Sequence, residues 1–375
     1  MGHRQKAEHV RRGGKGPVLR KGWAAAIIAL ALIVGCVVGF THPITTPKSK
    51  PTSLPCTLSA KLVPSCGVLW GAHKLPGTGE TWATAETNLE AQVGRPFDLV
   101  SEYHDFSGAG ISGMFPDSYE QQLAASGHII FENWTNRVFS TGVRASWAAI
   151  AAGKYDASVV EPVVRHIKAF GKPMFLSFDS EMDGLVGRGS GTAAQFVAAY
   201  RHIHNVFAQL GVTNVVWVWT VTGWSGHDEL YPSLYPGDAY VDWIGYDPYN
   251  FASCRNEAWR SAAAVIDTFY QWLTSNGHAN KPFMLQEYGT VTDPSNANAA
   301  AEWYQGLPVA LALHPNIKAL NEFDEAYGPC DTSLTLDPGE LAAFAAAGQT
   351  TLVKVVHHQH RHRPTENAGS SDGSG

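Results

Sequence analysis

A closed barrel of eight parallel strands ringed by helices, the (β/α)8 TIM-barrel class of α/β fold, is what this 375-residue sequence predicts, and three observations predict it. Short β-rich apolar runs alternate with longer stretches of helical periodicity. Eight such runs occur, which favours closure over an open doubly wound sheet. No glycine-rich phosphate loop follows the first run, so the nucleotide-binding version of the open sheet has no support. An apolar share of 45% over this length supplies the core of one large domain with tails.

In chain order the first strand is GVLWGA (67–72), followed by a helix over 81–92. The second and third are FDLVSEYH (97–104) and HIIFENW (128–134). A helix over 156–170 leads to the fourth, PMFLSFDSE (173–181), and one over 193–210 to the fifth, NVVWVWT (214–220). YVDWIGYD (240–247) is the sixth, before a helix over 259–276; PFMLQEYG (282–289) is the seventh, before a helix over 298–313; IKALNEF (317–323) is the eighth. Each helical stretch carries apolar residues at steps of three and four. Lys172-Pro173 and Lys281-Pro282 restart a strand after a helix in the same way.

The flanks have other compositions. Residues 1–22 hold seven basic side chains, Arg4, Lys6, Arg11, Arg12, Lys15, Arg20 and Lys21, and 23–40 (WAAAIIALALIVGCVVGF) carries no charge. Eighteen apolar residues are just long enough to span a bilayer, and upstream basic residues keep their own side cytoplasmic. The expectation is a cytoplasmic tail (1–22), a transmembrane signal anchor or signal peptide (23–40) and an extracytoplasmic domain. Ile33-Val34-Gly35-Cys36 resembles a lipobox, but the apolar run continues past Cys36, which favours a span. Residues 41–55, rich in Thr, Pro, Lys and Ser, read as a linker, 56–350 as the barrel, and 351–375 as a disordered His-rich tail. Histidines 357, 358, 360 and 362 fit a solvated tail better than a metal site. Cys56 and Cys66 bracket a short loop, and the barrel brings Cys254 and Cys330 together, so two disulfides are expected in an oxidising compartment. Zinc lacks a C-x-x-C pair. A net charge of −6 offers no basic field for nucleic acid, whereas 12 Trp and 13 Tyr suit a sugar polymer.

In this fold the reactive groups stand at the C-terminal ends of the strands. Glu181 ends the fourth strand in SFDSEMDG and Glu287 the seventh in FMLQEYG, on opposite sides of the mouth. A pair of carboxyls roughly 5 Å apart is what a retaining glycosidase needs, one to attack the anomeric carbon and one to protonate the leaving oxygen. No cofactor or metal is required. Glu132 is a reserve carboxylate, with Asp324 and Glu325 behind it.

NVVWVW (214–219), YPGD (235–238) and YVDWIGYDPYN (240–250), together with Glu181-Met182-Asp183-Gly184 and Gln286-Glu287-Tyr288-Gly289, resemble glycoside hydrolase family 26, a clan A barrel family that includes β-mannanases. The resemblance covers most of the chain from about 66 to 350. It implies Glu181 as acid/base, Glu287 as nucleophile, and Asp247 and Tyr249 in the site, with the tyrosine hydroxyl near the nucleophile. Where the family places His, Arg and Asn around the acid/base, this chain has Ser180, Ser177 and Asp183, which removes expected sugar contacts. Asp179 and Asp183 add negative charge that would raise the carboxyl pKa of Glu181. Candidate sugar contacts at strand ends are Trp70, Tyr103, His104, Trp134, Asp183, Trp219, Trp224 and Tyr249, with Asp105 and Asn133 as possible partners for hydroxyls. The expectation is an endo-acting hydrolase of mannan, β-1,3-xylan or mixed-linked β-glucan, tethered outside the membrane. A surface glycan-binding barrel that has lost catalysis, or a protein that processes the cell's own exopolysaccharide, are the alternatives.

Overall fold

Eight strands close on themselves in the computed structural model, which describes residues 56–108 and 112–353. They are β1 (Leu69–Lys74), β2 (Leu99–His104), β3 (Ile129–Trp134), β4 (Met174–Phe178), β5 (Val215–Val221), β6 (Trp243–Tyr246), β7 (Phe283–Thr290) and β8 (Ile317–Asp324). Each pairs in parallel with the next, and β8 returns to β1. All eight expected strands are present. The larger helices are α1 (Trp82–Val93), α2 (Ser118–Ser126), α3 (Glu161–Phe170), α4 (Ala193–Gln209), α5 (Ala262–Ser275), α6 (Ala299–Leu313) and α7 (Pro338–Gly348). Between β5 and β6 the crossover has only two short turns, the 3-10 turn Ser225–His227 and the helical turn Tyr231–Leu234.

The expected tail (1–22), membrane segment (23–40) and linker (41–55) lie outside the described residues, as does the C-terminal tail from 354. Among the described residues no helix is long and apolar enough to cross a membrane. Val353 is fully buried against the main core, so packed structure runs a few residues beyond the expected end of the barrel.

Side chains alternate between the two faces of a strand. One set, including Leu69, Leu99, Phe131, Phe175, Val218, Trp243, Met284 and Ala319, fills the barrel interior, with Cys56 and Leu62 closing its lower end. The other set, including Trp70, Trp134, Leu176, Trp219 and Leu285, packs outward against the helices. Trp70 is held so closely under α7 that a Cβ on Gly348 would stand 2.2 Å from its ring, so only glycine permits that approach. The interior set turns polar towards the mouth, where Ser101, Asn133, Ser177, Thr220, Gln286 and Asn321 are all buried.

Both expected disulfides are present. Cys56–Cys66 closes the segment beneath the barrel, and Cys254–Cys330 joins the loops after β6 and β8 across the end of β7.

Candidate active site

A cavity of about 1310 Å³ opens at the C-terminal ends of the strands, with Glu181, Asp247, Tyr249 and Glu287 on its wall. These residues reach it by three different local devices. Asp247 follows β6 with the inward parity of Trp243 and Gly245. Glu287 has the outward parity of Leu285, but Leu285 pairs with Leu320 and Tyr288 with Glu322, which leaves one extra residue on β7. That bulge re-aims the Glu287 side chain into the mouth. Glu181 does not end its strand as expected: β4 stops at Phe178, and a tight turn follows with Asp179 (φ 54°) and Glu181 (φ 58°) in left-handed backbone. Glu181 N–H donates to the Thr220 carbonyl at 3.1 Å, which seats the turn on β5.

Glu181, Asp247 and Glu287 each bring a carboxylate oxygen within 4.8 Å of the other two. Their hydrogen bonds are unequal. Tyr103 Oη donates to Glu287 Oε1 at 2.5 Å, and Tyr249 Oη to Oε2 at 2.9 Å. Asp247 Oδ1 accepts the Glu287 backbone N–H at 2.9 Å. Burial, then the charges of Glu287 and Asp183, push the Glu181 carboxyl up to about 8. Burial also raises Glu287, against the opposing pull of its two tyrosines. Asp247 is held well above the carboxylate range by burial and by its two neighbours. Like charges this close do not all ionise, and the donors converge on Glu287, so the negative charge settles there and Glu181 keeps its proton.

Asp183 is buried and accepts bonds from Thr222 and from His227 Nδ1 (2.7 Å), so it acts on Glu181 by charge and offers no contact to sugar. Asp179 contributes no comparable effect: its oxygens are taken by Thr135, Asn136 and Trp147, and it holds the loop. Where the resemblance led to the expectation of His and Arg, Ser180 Oγ donates to Asn133 Oδ1 (2.9 Å) and lies 3.0 Å from Ser177 Oγ, which donates to Thr220 Oγ1 (3.1 Å).

The aromatic expectations divide by strand parity. Trp70, Trp134 and Trp219 are fully buried between barrel and helices and do not reach the cavity, which corrects their reading as sugar platforms. Tyr249 and Trp224 line it, and Trp224 is 60% exposed. His104 touches the cavity wall, but Nδ1 lies 3.1 Å from the Ser112 carbonyl and Nε2 2.6 Å from Glu120 Oε1, so both nitrogens are engaged. Sequence reading missed the hydroxyl role of Tyr103, legible in its parity with Leu99 and Ser101, and the exposed rings of Trp82 and Phe139 on the cavity rim.

Glu132, the reserve carboxylate, points outward from β3 and is fully buried, with no hydrogen bond to either oxygen and His104 Nε2 at 3.3 Å. His104, Glu120 and Glu132 could hold a cation by spacing, although the His104 nitrogen is already bonded to Glu120. Burial, followed by the charges of Glu120 and Glu102, raises the Glu132 carboxyl well above its usual range. A carboxyl raised in the folded state contributes stability at low pH and loses it as pH rises past the ordinary carboxylate range. Glu132→Gln removes that loss. Its melting temperature should exceed that of the parent by a few degrees at pH 8, at about 2–4 °C per kcal/mol for a domain of this kind, and the gap should close towards pH 4.

Comparison with known proteins follows the same lines. The family described as Glycosyl hydrolase family 26 matches residues 186–312, a span that begins just after Glu181 and contains Asp247, Tyr249 and Glu287. Endoglucanase H of Acetivibrio thermocellus is 28% identical over 289 residues, covering 72% of this chain and 29% of its own length. Beta-1,3-xylanase TXYA of a Vibrio species is 28% identical over 233 residues, covering 58% of this chain and 47% of its own. The chain thus spans less than half the length of these curated relatives. A family 26 β-mannanase structure from Bacteroides ovatus superposes with a TM-score of 0.57 at 18% identity, covering 79% of this chain and 95% of that one, and the likeness is one of fold.

Proposed function

Starting from a chain of glycosyl hydrolase family 26, we propose a retaining, endo-acting hydrolase of a β-linked polysaccharide, with Glu287 as nucleophile and Glu181 as acid/base. One observation carries the reading: a Glu181 oxygen lies within 4.8 Å of a Glu287 oxygen on the cavity wall. Retaining pairs stand about 5–5.5 Å apart, and inverting pairs about 6.5–9.5 Å, to admit a water between them.

Glu287 attacks the anomeric carbon while Glu181 gives its proton to the departing glycosidic oxygen, which leaves a glycosyl ester on Glu287. Glu181, now a carboxylate, takes a proton from water as the oxygen of that water attacks the same carbon. Glu287 departs, and the sugar keeps its original configuration. The open cleft, with the rings of Trp82, Phe139 and Trp224 on its rim, suits an internal stretch of polymer. The named relatives, an endoglucanase and β-1,3-xylanases, with β-mannanases among the fold neighbours, support β-glucan, β-1,3-xylan and mannan backbones as first substrates. The two disulfides support an extracytoplasmic barrel, and the uncharged run 23–40 supports its tethering to the membrane.

Reducing-end release by the full chain from these polymers tests the activity, and the anomeric configuration of the first product tests retention. Net inversion would sink the double-displacement mechanism. No release by the chain, combined with binding to one polymer, would transfer the assignment to a glycan-binding barrel, which the serines at 177 and 180 would then explain.

The two tyrosines make a sharper test. A hydrogen bond to a charged group is worth about 1.5–3 kcal/mol, so Tyr249→Phe or Tyr103→Phe should lower kcat by roughly 10- to 100-fold. The acid limb of the pH–rate profile should move up in each variant, because losing a donor raises the Glu287 carboxyl further. A fall in kcat with an unmoved acid limb would remove the charge-holding role.

A further inference from the structure

A side lobe of about 210 Å³ leaves the cleft at the catalytic pair and is lined by Asn133, Arg137, Arg144 and Ser180 together with Glu181 and Glu287. The small Ser180 lies on its wall, and its chemistry follows from the loop after β3. There, residues 137–144 form a hairpin in which Arg137 and Arg144 face each other across an antiparallel bridge, closed by Val138 N–H to the Val143 carbonyl at 2.8 Å. Like charges directly opposite one another destabilise such a pair.

The hairpin is nonetheless held firmly. Buried Asn136 donates to the Ala145 carbonyl and to Ser190 Oγ, its own N–H reaches Asp179 Oδ1 at 3.1 Å, and Phe139 N–H reaches Asp105 Oδ2 at 2.9 Å. Arg144 donates only to the neutral Asn136 Oδ1 at 2.8 Å, and among the described residues neither arginine forms an ion pair. Two guanidinium groups with no carboxylate at ion-pairing distance, carried on a braced loop beside the bond-breaking carboxyls, make a receptor for a negative charge on the substrate.

We propose that the natural substrate is an acidic polysaccharide, and that a sugar residue bearing an anionic group docks in this lobe with Arg137 and Arg144 on that group. The inference rests on the hydrolase reading and narrows its substrate class. A uronate carboxylate and a sulfate ester present the same chemistry to the pair, and the test separates them.

The full chain is assayed on two matched pairs: a β-linked, uronic-acid-containing polymer beside its carboxyl-reduced form, and a sulfated polymer beside its desulfated form. In one pair kcat/KM should be at least about tenfold higher on the charged member, the lower end for a hydrogen-bonded charge, and that pair names the anion. The preference should shrink as salt rises from about 0.02 to about 0.5 M. Arg137→Gln, a change at an exposed side chain, should lower the charged-to-neutral ratio about tenfold. Arg144→Gln should do the same, and Arg144→Lys should recover part of it. Hydrolysis of both members at equal rates, or a ratio that neither variant moves, overturns this proposal and leaves the hydrolase intact. Failure to cut any member, or any neutral polymer, overturns both.

Discussion

Glu287→Ala should abolish polysaccharide cleavage, with kcat falling on the order of 10⁴-fold or more while the protein still binds its polymer. The size of the effect follows from the bulge in β7, which aims this one carboxylate at the site where Tyr103 and Tyr249 donate to it. Asp247, the nearest other carboxyl beside Glu181, is tied to the Glu287 backbone and held well above the carboxylate range by burial and by its two neighbours. Added azide enters the space the Glu287 carboxylate vacates and attacks the anomeric carbon from the face opposite the leaving group. The variant should therefore regain turnover with azide and yield a glycosyl azide of inverted configuration. Reducing-end release at the parental rate would remove Glu287 from the mechanism altogether.

Glu181→Gln should cost about 10²–10⁴-fold on polysaccharide, the range for losing a general acid, and much less on an aryl glycoside whose phenolate needs no proton to depart. The parent enzyme should lose kcat/KM as pH rises through about 8, where Glu181 gives up the proton that burial and the charges of Glu287 and Asp183 hold on it. Below that pH the acid is ready, and the acid limb belongs to ionisation of Glu287. In Glu181→Gln the alkaline limb should vanish. An alkaline limb that persisted unchanged would assign it to another group.

The alternation of strands and helices was readable because each β/α unit writes its own period, and the eight strands fall where the runs of Val, Ile, Phe and Trp place them. That both glutamates reach the cavity was readable because strand order limits which residues can stand at the mouth, although Glu181 stands in the turn after β4 and not on the strand itself. Parity was not, since parallel strands are buried on both faces and an outward tryptophan looks like an inward one. Trp70, Trp134 and Trp219 were assigned to the cleft for that reason. The re-aiming of Glu287 is a property of its pairing with β8, which no local run of residues records. The arginine hairpin lies in a loop whose shape is set by Asp105, Asn136 and Asp179, contacts distant enough in sequence that composition gives no hint of them.

Asp179 and Glu181, on either side of Ser180, stand in left-handed backbone, a conformation that costs a non-glycine residue roughly 1–2 kcal/mol. Glu181 adds the cost of a carboxyl buried among like charges. Glycine or asparagine at 181 relieves both. A library selected only for heat resistance will therefore enrich those residues there, and its hardiest members will be inert, so directed evolution of this barrel has to score sugar release and melting together from the first round.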